Sequence, residues 1–568
     1  MGRSLLLIAI PAILAAQDVY INSGPQAMAP QKPPSPAEDL CTVEGQIFNA
    51  STGEPIRKAT VVMNRTELGP GDGNNNYLGT TDAQGKFVIK DVEPGKYRLN
   101  ASRNGFVSMA YGAHSPGKPG TTLTLATKQH AADIVFKLIP HGVITGRILD
   151  EDGEPLANAQ VALLSYRYQQ GKKQLSNSQW ASTNDLGEYR IFGVAPGKYY
   201  LSANAPPMMT GGRMNADVPE EYVPAYYPGT SDASSAAPVV VGPGAQMRGV
   251  DITLFKKHTV RIKGHVNSAV AGRGMINVLL VPRNTSMVTS LNSTRADSQG
   301  NFDIHSVLPG SYRLQAQVMG GPGGNYVGRT DLEVGQTNLD GLVVTIGPNF
   351  SVSGTLRVDG DANGPNLTNI RLGLQARDSE AMMFGGGSQG RVDAQGHFEI
   401  PNVPPGEYYL AVANPPAGFY IKSMRSEQID VLTSGLNLTN GGAPNVEVVI
   451  SPNAASFSGT VQDPRTGNPS PGASVVLIPL EKERRDQQLF YKTAISDSNG
   501  AFSFKGLMPG EYKAYAWEDL EAGAYMDPDF MKPVESAGEA VPLHENDMKT
   551  AQLKLIPADG PDVRSGGQ

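Results

Sequence analysis

The chain has 568 residues, of which 18% are charged, with a formal net charge of −7. That length exceeds what one hydrophobic core organises, and the charge is spread without a long run of either sign, which argues against a nucleic-acid groove or a polybasic membrane surface. With 65 glycines, 43 prolines and 39% hydrophobic residues, the composition points to an all-β protein of short strands and many turns rather than to disorder.

Residues 1–16 read as a secretory signal: Arg3 supplies the basic start, Leu5 to Leu14 the apolar run, and Ala15-Ala16 the small residues for cleavage. The apolar run is shorter than the ~20 residues that span a bilayer, and no later stretch is long and apolar enough. The expectation is an exported protein, secreted, periplasmic or at the cell surface, without a transmembrane segment after cleavage. Residues 17–40 hold Pro25, Pro30, Pro33, Pro34 and Pro36 with little apolar periodicity and read as a linker. The single cysteine, Cys41, has no intrachain partner and lies too far from the signal to accept a lipid. It reads as a small apolar residue at the edge of the first strand.

A strand–turn–strand pattern then repeats five times. Each opens on a strand carrying a glycine: Gly45, Gly146, Gly264, Gly354 and Gly459. A Gly-x-Pro turn is clear in the first, second and fifth repeats (Pro55, Pro155, Pro469) and a second strand follows. After a variable loop comes an Asp-x-x-Gly-x-aromatic hairpin, with Asp82, Asn184, Asp297, Asp393 and Asp497 at its start. A Pro-Gly-x-Tyr corner ends at Tyr97, Tyr199, Tyr312, Tyr408 and Tyr512, always at the same distance from the turn glycine (Gly85, Gly187, Gly300, Gly396, Gly500). An alternating strand closes each repeat. A fixed local spacing beside variable loops marks one rigid unit repeated. Helices are expected to be short or absent, since no segment has helical periodicity with caps.

Period two turns Phe87, Ile89 and Val92 inward, together with Tyr97, Leu99 and Ala101 on the next strand. The corner tyrosine therefore reads as structural, its ring in the core and its hydroxyl capping a backbone group. The fold class expected is all-β: five tandem prealbumin-like/Ig-like β-sandwich domains of about 100 residues each, in a beads-on-a-string or rod arrangement. The limits read are 41–140, 141–257, 258–347, 348–452 and 453–557, with a flexible tail over 558–568.

The opening glycine strand, Gly-x-Pro turn, Asp-x-x-Gly-x-Phe hairpin and Pro-Gly-x-Tyr corner together resemble the carboxypeptidase regulatory-like domain family, over about residues 41–557. The resemblance implies a prealbumin-like sandwich grouped with carbohydrate-binding-like folds. It also implies modules attached to peptidases, transporters and surface proteins, mostly as folding or interaction units. Asn184 in place of Asp, and the absence of a clear Gly-x-Pro turn in the third and fourth repeats, depart from the pattern.

No catalytic constellation is legible. The eight histidines are scattered, and none begins His-Glu-x-x-His or the His-x-x-Glu of a metallocarboxypeptidase zinc site. Gly386-Gly387-Ser388-Gln389-Gly390 matches a nucleophile-elbow pattern but sits in a glycine-rich loop without the strand and helix that motif needs. Asp359-Gly360-Asp361-Ala362-Asn363-Gly364 has the first half of a calcium loop, but its twelfth position is Ile370. It reads as a turn, with a weak calcium site as the alternative. The opening and closing strands carry no consistent lysine and asparagine, so an internal pilin-type isopeptide bond is discounted in the fifth repeat. Neither catalytic residue, metal nor cofactor is assigned.

The informative surface is the insertion of the second repeat, where Tyr222, Tyr226 and Tyr227 stand among prolines and glycines. Trp180, one of only two tryptophans, belongs to the same repeat, with Tyr166 and Tyr168 in its variable loop. Rigid rings bury area at small entropic cost, so Trp180, Tyr222, Tyr226 and Tyr227 are the candidate ligand-binding residues. The opposing reading folds these rings onto their own sandwich as a satellite cluster. Tyr515, Trp517, Tyr525 and Phe530 of the fifth repeat are a lesser candidate. The preferred function is a non-enzymatic scaffold presenting loops to an unknown protein or glycan at the cell envelope, with no nucleic acid. The alternatives are a carbohydrate-binding protein and an accessory subunit of a secreted peptidase or outer-membrane uptake system.

Overall fold

The computed structural model describes residues 39–66, 76–205, 220–268, 275–283, 292–321, 324–360, 365–377, 388–439, 441–442 and 444–558. Residues 1–16, read as a signal, most of residues 17–40 and all but the first residue of 558–568 lie outside them.

In the first repeat the opening strand Cys41–Asn49 is flanked on both sides. Lys86–Val92 pairs with it antiparallel and the closing strand His130–Leu138 pairs with it parallel. A second sheet packs Thr60–Arg65 between Asn76–Thr80 and Gly95–Ser102. The apolar faces enclose Val43, Ile47, Met63, Phe87, Leu99 and Phe136. The same pairing returns around Val260–Ser268, Phe350–Val358 and Ala455–Gln462. In the second repeat the parallel partner of Gly142–Leu149 is reduced to Gln246–Met247 and Ile252–Thr253.

The parallel closing strand explains the opening glycine. A Cβ on Gly45, Gly146, Gly264, Gly354 or Gly459 would fall on the carbonyl oxygen of Ile134, Val250, Leu342, Val446 or Ala551. Only glycine lets the backbones approach so closely. At the turn glycines φ lies between 69° and 91°, the left-handed region that glycine enters without cost.

Strict alternation from Phe87 and Ile89 would turn Asp91 inward, yet Val92 is the buried residue. A bulge makes up the difference. Asp91, Gly193, Ser306, Asn402 and Gly506 occupy one position of the repeat, and all have φ between 58° and 72°. Each opposes a register shift against the opening strand. The extra residue returns Val92, Val194, Val307, Val403 and Leu507 to the core.

Side-chain caps hold the turns. Oδ1 of Asp82, Asn184, Asp297, Asp393 and Asp497 accepts two backbone N–H groups, two and four residues on. Asn184 substitutes freely because its amide oxygen makes the same bonds. The corner tyrosines behave as expected: Tyr97, Tyr199, Tyr408 and Tyr512 each donate their hydroxyl to the carbonyl four residues back, at 2.7–2.9 Å. In the repeats with a Gly-x-Pro turn, a buried hydroxyl adds a further tie. Thr81 donates to the Ile56 carbonyl and accepts from the Ala59 N–H, and Thr183 and Ser496 do the same in their repeats.

The rod arrangement requires correction. Phe490 of the fifth repeat is buried in the core of the fourth, where Gln487 also donates to the carbonyls of Leu432 and Thr433. The fifth repeat then reaches back to the beginning of the chain. Ser115 Oγ donates to Asp519 Oδ2 at 3.0 Å, and Lys118 Nζ lies 2.8 Å from Asp519 Oδ1 and 2.8 Å from the Leu520 carbonyl. The Tyr168 ring meets Phe530 edge-on at 6.2 Å. Polar side chains and a hairpin tip, not the short connections between repeats, set this path, and the array folds back on itself.

Candidate functional site

The second repeat carries one sheet face that its own core does not use. The strand Gln160–Gln169 pairs with Lys172–Ser182 on one side and Gly197–Asn204 on the other, with Ala225–Tyr226 beyond. Tyr166 and Tyr168, read from the sequence as loop residues, stand on this long hairpin. Its turn is Gln170-Gly171, with φ of 49° and 73°, as a two-residue hairpin loop requires. The alternation Leu164, Tyr166, Tyr168 was the available signal.

Val161, Leu163, Leu201 and Ala203 point into the core. The register sets Trp180, Ala162, Ser202 and Tyr226 in one row on the opposite face, with Leu164 and Tyr200 in the next. There Leu164, Leu175 and Tyr226 form a satellite cluster, against which Ala162, Tyr200, Ala233 and Ala236 pack. Asp232 caps the short turn Ala233–Ser235, which contributes Ala233, with Ala236 directly after it.

The four candidate rings therefore separate. Trp180 remains 69% exposed at the sheet edge, whereas Tyr226 is 6% exposed within the cluster. Tyr222 lies on Glu220–Tyr222, paired with Lys256–His258. Its hydroxyl donates to Asp150 Oδ2 at 3.3 Å and Lys256 Nζ sits 5.0 Å from its ring. Burial raises its pKa, and the Glu154 backbone N–H, with the Asp152 N–H and Tyr222, holds Asp150 below the usual carboxylate range. Tyr227 packs half-buried against the core. A single platform of Trp180, Tyr222, Tyr226 and Tyr227 is thus not formed.

What remains open on this face is Trp180 together with Tyr166 and Tyr200. Tyr166 is 37% exposed and meets Tyr200 edge-on at 5.3 Å. Lys173 Nζ lies 5.4 Å from the Tyr166 ring centroid, a cation–π contact that orients the ring. Rings presented by strands hold their positions better than rings on loops, and this face combines apolar area with a cation at its margin.

The lesser candidate in the fifth repeat is overturned. Tyr515, Trp517 and Tyr525 are buried in a cluster with Val534 and Leu520, and Phe530 packs against it. The segment following Trp517 folds over its own sheet, and Tyr168 completes the cover. Of the calcium-like run, Asp359 and Gly360 are described and residues 361–364 lie outside. Asp359 accepts from Lys422 Nζ at 2.6 Å and Ser451 Oγ at 3.3 Å. Gly386 and Gly387 of the elbow-like run also lie outside, and Gln389–Arg391 is a short strand. Among the described residues no group of three or more His, Cys, Asp and Glu is placed to hold a metal, and no helix is long and apolar enough to cross a membrane. Cys41 is buried, with its thiol directed to the Ala126 carbonyl at 3.0 Å.

The carboxypeptidase regulatory-like domain matches residues 42–135, 143–254 and 456–520. No curated protein matches the chain. Among solved structures, GBS52, the minor pilin of Streptococcus agalactiae, aligns over 38% of this chain and 96% of its own, at 15% identity and a TM-score of 0.23. BcpA, the major pilin subunit of Bacillus cereus, aligns over 73% of this chain and 98% of its own, at 12% identity and a TM-score of 0.15. The glycine, hairpin and corner devices of the first and second repeats fall inside the matched regions, and over these three regions the chain matches the carboxypeptidase regulatory-like domain family.

Proposed function

We propose that the protein is an exported, non-catalytic interaction scaffold, and that the outer sheet face of the second repeat is its principal contact surface. The observation that carries this reading is Trp180, 69% exposed on a regular strand, in a row next to a sheet patch that holds Tyr166 and Tyr200. A large ring left in water on a rigid sheet is poised to bury area on a partner at little entropic cost. Export rests on the basic, apolar and small-residue pattern of residues 1–16.

A saccharide ligand is the second reading, favoured by the same rings, since a flat apolar sugar face stacks on an aromatic one. Binding of the intact protein to a glycan array and to envelope fractions of the source cells, compared with Trp180→Ala and Tyr166→Ala, tests both. A glycan signal lost in the variants supports the saccharide reading, and an envelope-protein signal lost in them supports the scaffold reading alone. Binding in both assays that ignores Trp180 and Tyr166 contradicts the assignment of this face.

A further inference from the structure

In the third repeat an open groove of about 780 Å³ lies between the outer face of the sheet that contains Val260–Ser268 and the edge strand Asn292–Arg295 of the other sheet. Its size falls within the range of small-ligand sites. Lys263, His265 and Arg295 stand around it, with Asn301, Asp303 and Val343 completing the wall. Cross-strand register places Lys263 opposite Asp303, and His265 between Asn301 and Val343.

The charges are not balanced within the groove. Asp303 is engaged by the guanidinium of Arg261 and lies 3.3 Å from His305 Nε2, and Asp297 is committed to its turn. Lys263 acts on Asp303 by its charge across the strands, but neither Lys263 nor Arg295 makes a direct ion pair among the described residues. The other repeats do not reproduce the pair. The residue before the opening glycine is Glu44, Thr145, Ser353 or Ser458 where the third repeat has Lys263. Five residues before the turn glycine the others have Thr80, Ser182, Arg391 or Ile495 in place of Arg295. Cations at both positions occur in the third repeat alone.

We propose that this groove binds an anionic saccharide. Lys263 and Arg295 would take the carboxylate or sulfate, because an unpaired guanidinium and ammonium recognise such groups by charge-assisted hydrogen bonds. Asn301 is bonded to His265 and Asp297, so only the lone pairs that Asn301, Asp297 and Asp303 keep beyond these bonds accept from hydroxyls, and exposed Val343 offers an apolar step for a ring face. Cations and acceptors interleaved in one open groove suit a ligand that carries both a negative group and many O–H donors. An acidic lipid chain would leave those acceptors unused. The site is distinct from the aromatic face of the second repeat.

Isothermal titration of the full chain with three probes tests this: a tetragalacturonate, a sulfated disaccharide and an uncharged tetrasaccharide. The expected result is saturable binding of one or both acidic probes and none of the uncharged one. That binding should weaken at least tenfold in Lys263→Ala and in Arg295→Ala, fall with added salt, and persist in Trp180→Ala. The carboxylate and sulfate arms identify which acidic group is preferred. Absence of saturable acidic binding, equal binding of the uncharged probe, or indifference to both cation variants would overturn the proposal. Loss in Trp180→Ala alone would transfer the site to the second repeat.

Discussion

Ser115 and Asp519, 404 residues apart in the chain, are joined by a 3.0 Å hydrogen bond. Lys118 adds a 2.8 Å ion pair to the same carboxylate. This contact, with the Tyr168–Phe530 pair beside it, brings the last repeat back onto the first two. Burial alone would raise the Asp519 carboxyl, but the hydrogen bond and charge of Lys118, with Ser115, outweigh it and leave the pKa lowered.

The sign of its pH dependence follows. A carboxyl depressed in the closed form stabilises closure at any pH above its free value, about 3.9 for Asp, and loses that contribution as pH falls through its depressed value. Closure should therefore hold at neutral pH and weaken below about pH 4, the region of the free Asp value. Both partners retain some solvent access, so added salt should weaken it as well. Fluorescence transfer between dyes on the first and fifth repeats, followed from pH 7 to pH 3, is expected to drop in the acid range. Asp519→Asn should show the low-transfer state already at pH 7, while unchanged transfer across the range would mean the ion pair does not hold the contact.

Tyr97 is fully buried and its hydroxyl caps the Glu93 carbonyl at 2.7 Å. Tyr97→Ala should destabilise its sandwich by roughly 3 kcal/mol or more, the cost of emptying an aromatic core site. Tyr97→Phe should cost only about 1 kcal/mol for the hydrogen bond. Hydrogen exchange of the full chain, read on peptides from residues 86–102, separates the two. Equal effects would mean the ring contributes nothing beyond its hydroxyl.

The bulge makes a separate prediction. Asp91 is held at φ 58°, a conformation that costs a residue with a Cβ roughly 1–2 kcal/mol. Asp91→Gly should leave the first sandwich as stable or slightly more so, and Asp91→Val should destabilise it, with thermal unfolding as the readout. Gly193 and Gly506 already stand at that position in their own repeats. A stabilising Asp91→Val would contradict the left-handed assignment.

What the sequence disclosed and what it did not divides along locality. The Asp turn, the Tyr corner and the inward set Phe87, Ile89 and Val92 are written within about fifteen residues, and each sits where its spacing places it. The bulge at Asp91 was implicit in that set, since Val92 breaks strict alternation. The parallel closing strand was invisible as a pairing, although the glycine it requires, Gly45, was plain. Trp180 and Tyr226 share one row of one sheet, but Tyr226 is buried among Leu164, Leu175, Tyr200, Ala233 and Ala236 whereas Trp180 stays exposed on the edge strand. The contact of Ser115 with Asp519 has no local signature at all, because a serine and an aspartate in separate loops look like any other solvated pair.

Small-angle X-ray scattering of the full chain at neutral pH and moderate salt tests the folded-back array most directly. A compact particle is expected, with a single-peaked pair-distance distribution that lengthens when Lys118→Glu is combined with Tyr168→Ala. A distribution with a peak at the width of one sandwich and a long linear tail, present in the unaltered protein and insensitive to those substitutions, would show a rod and contradict it.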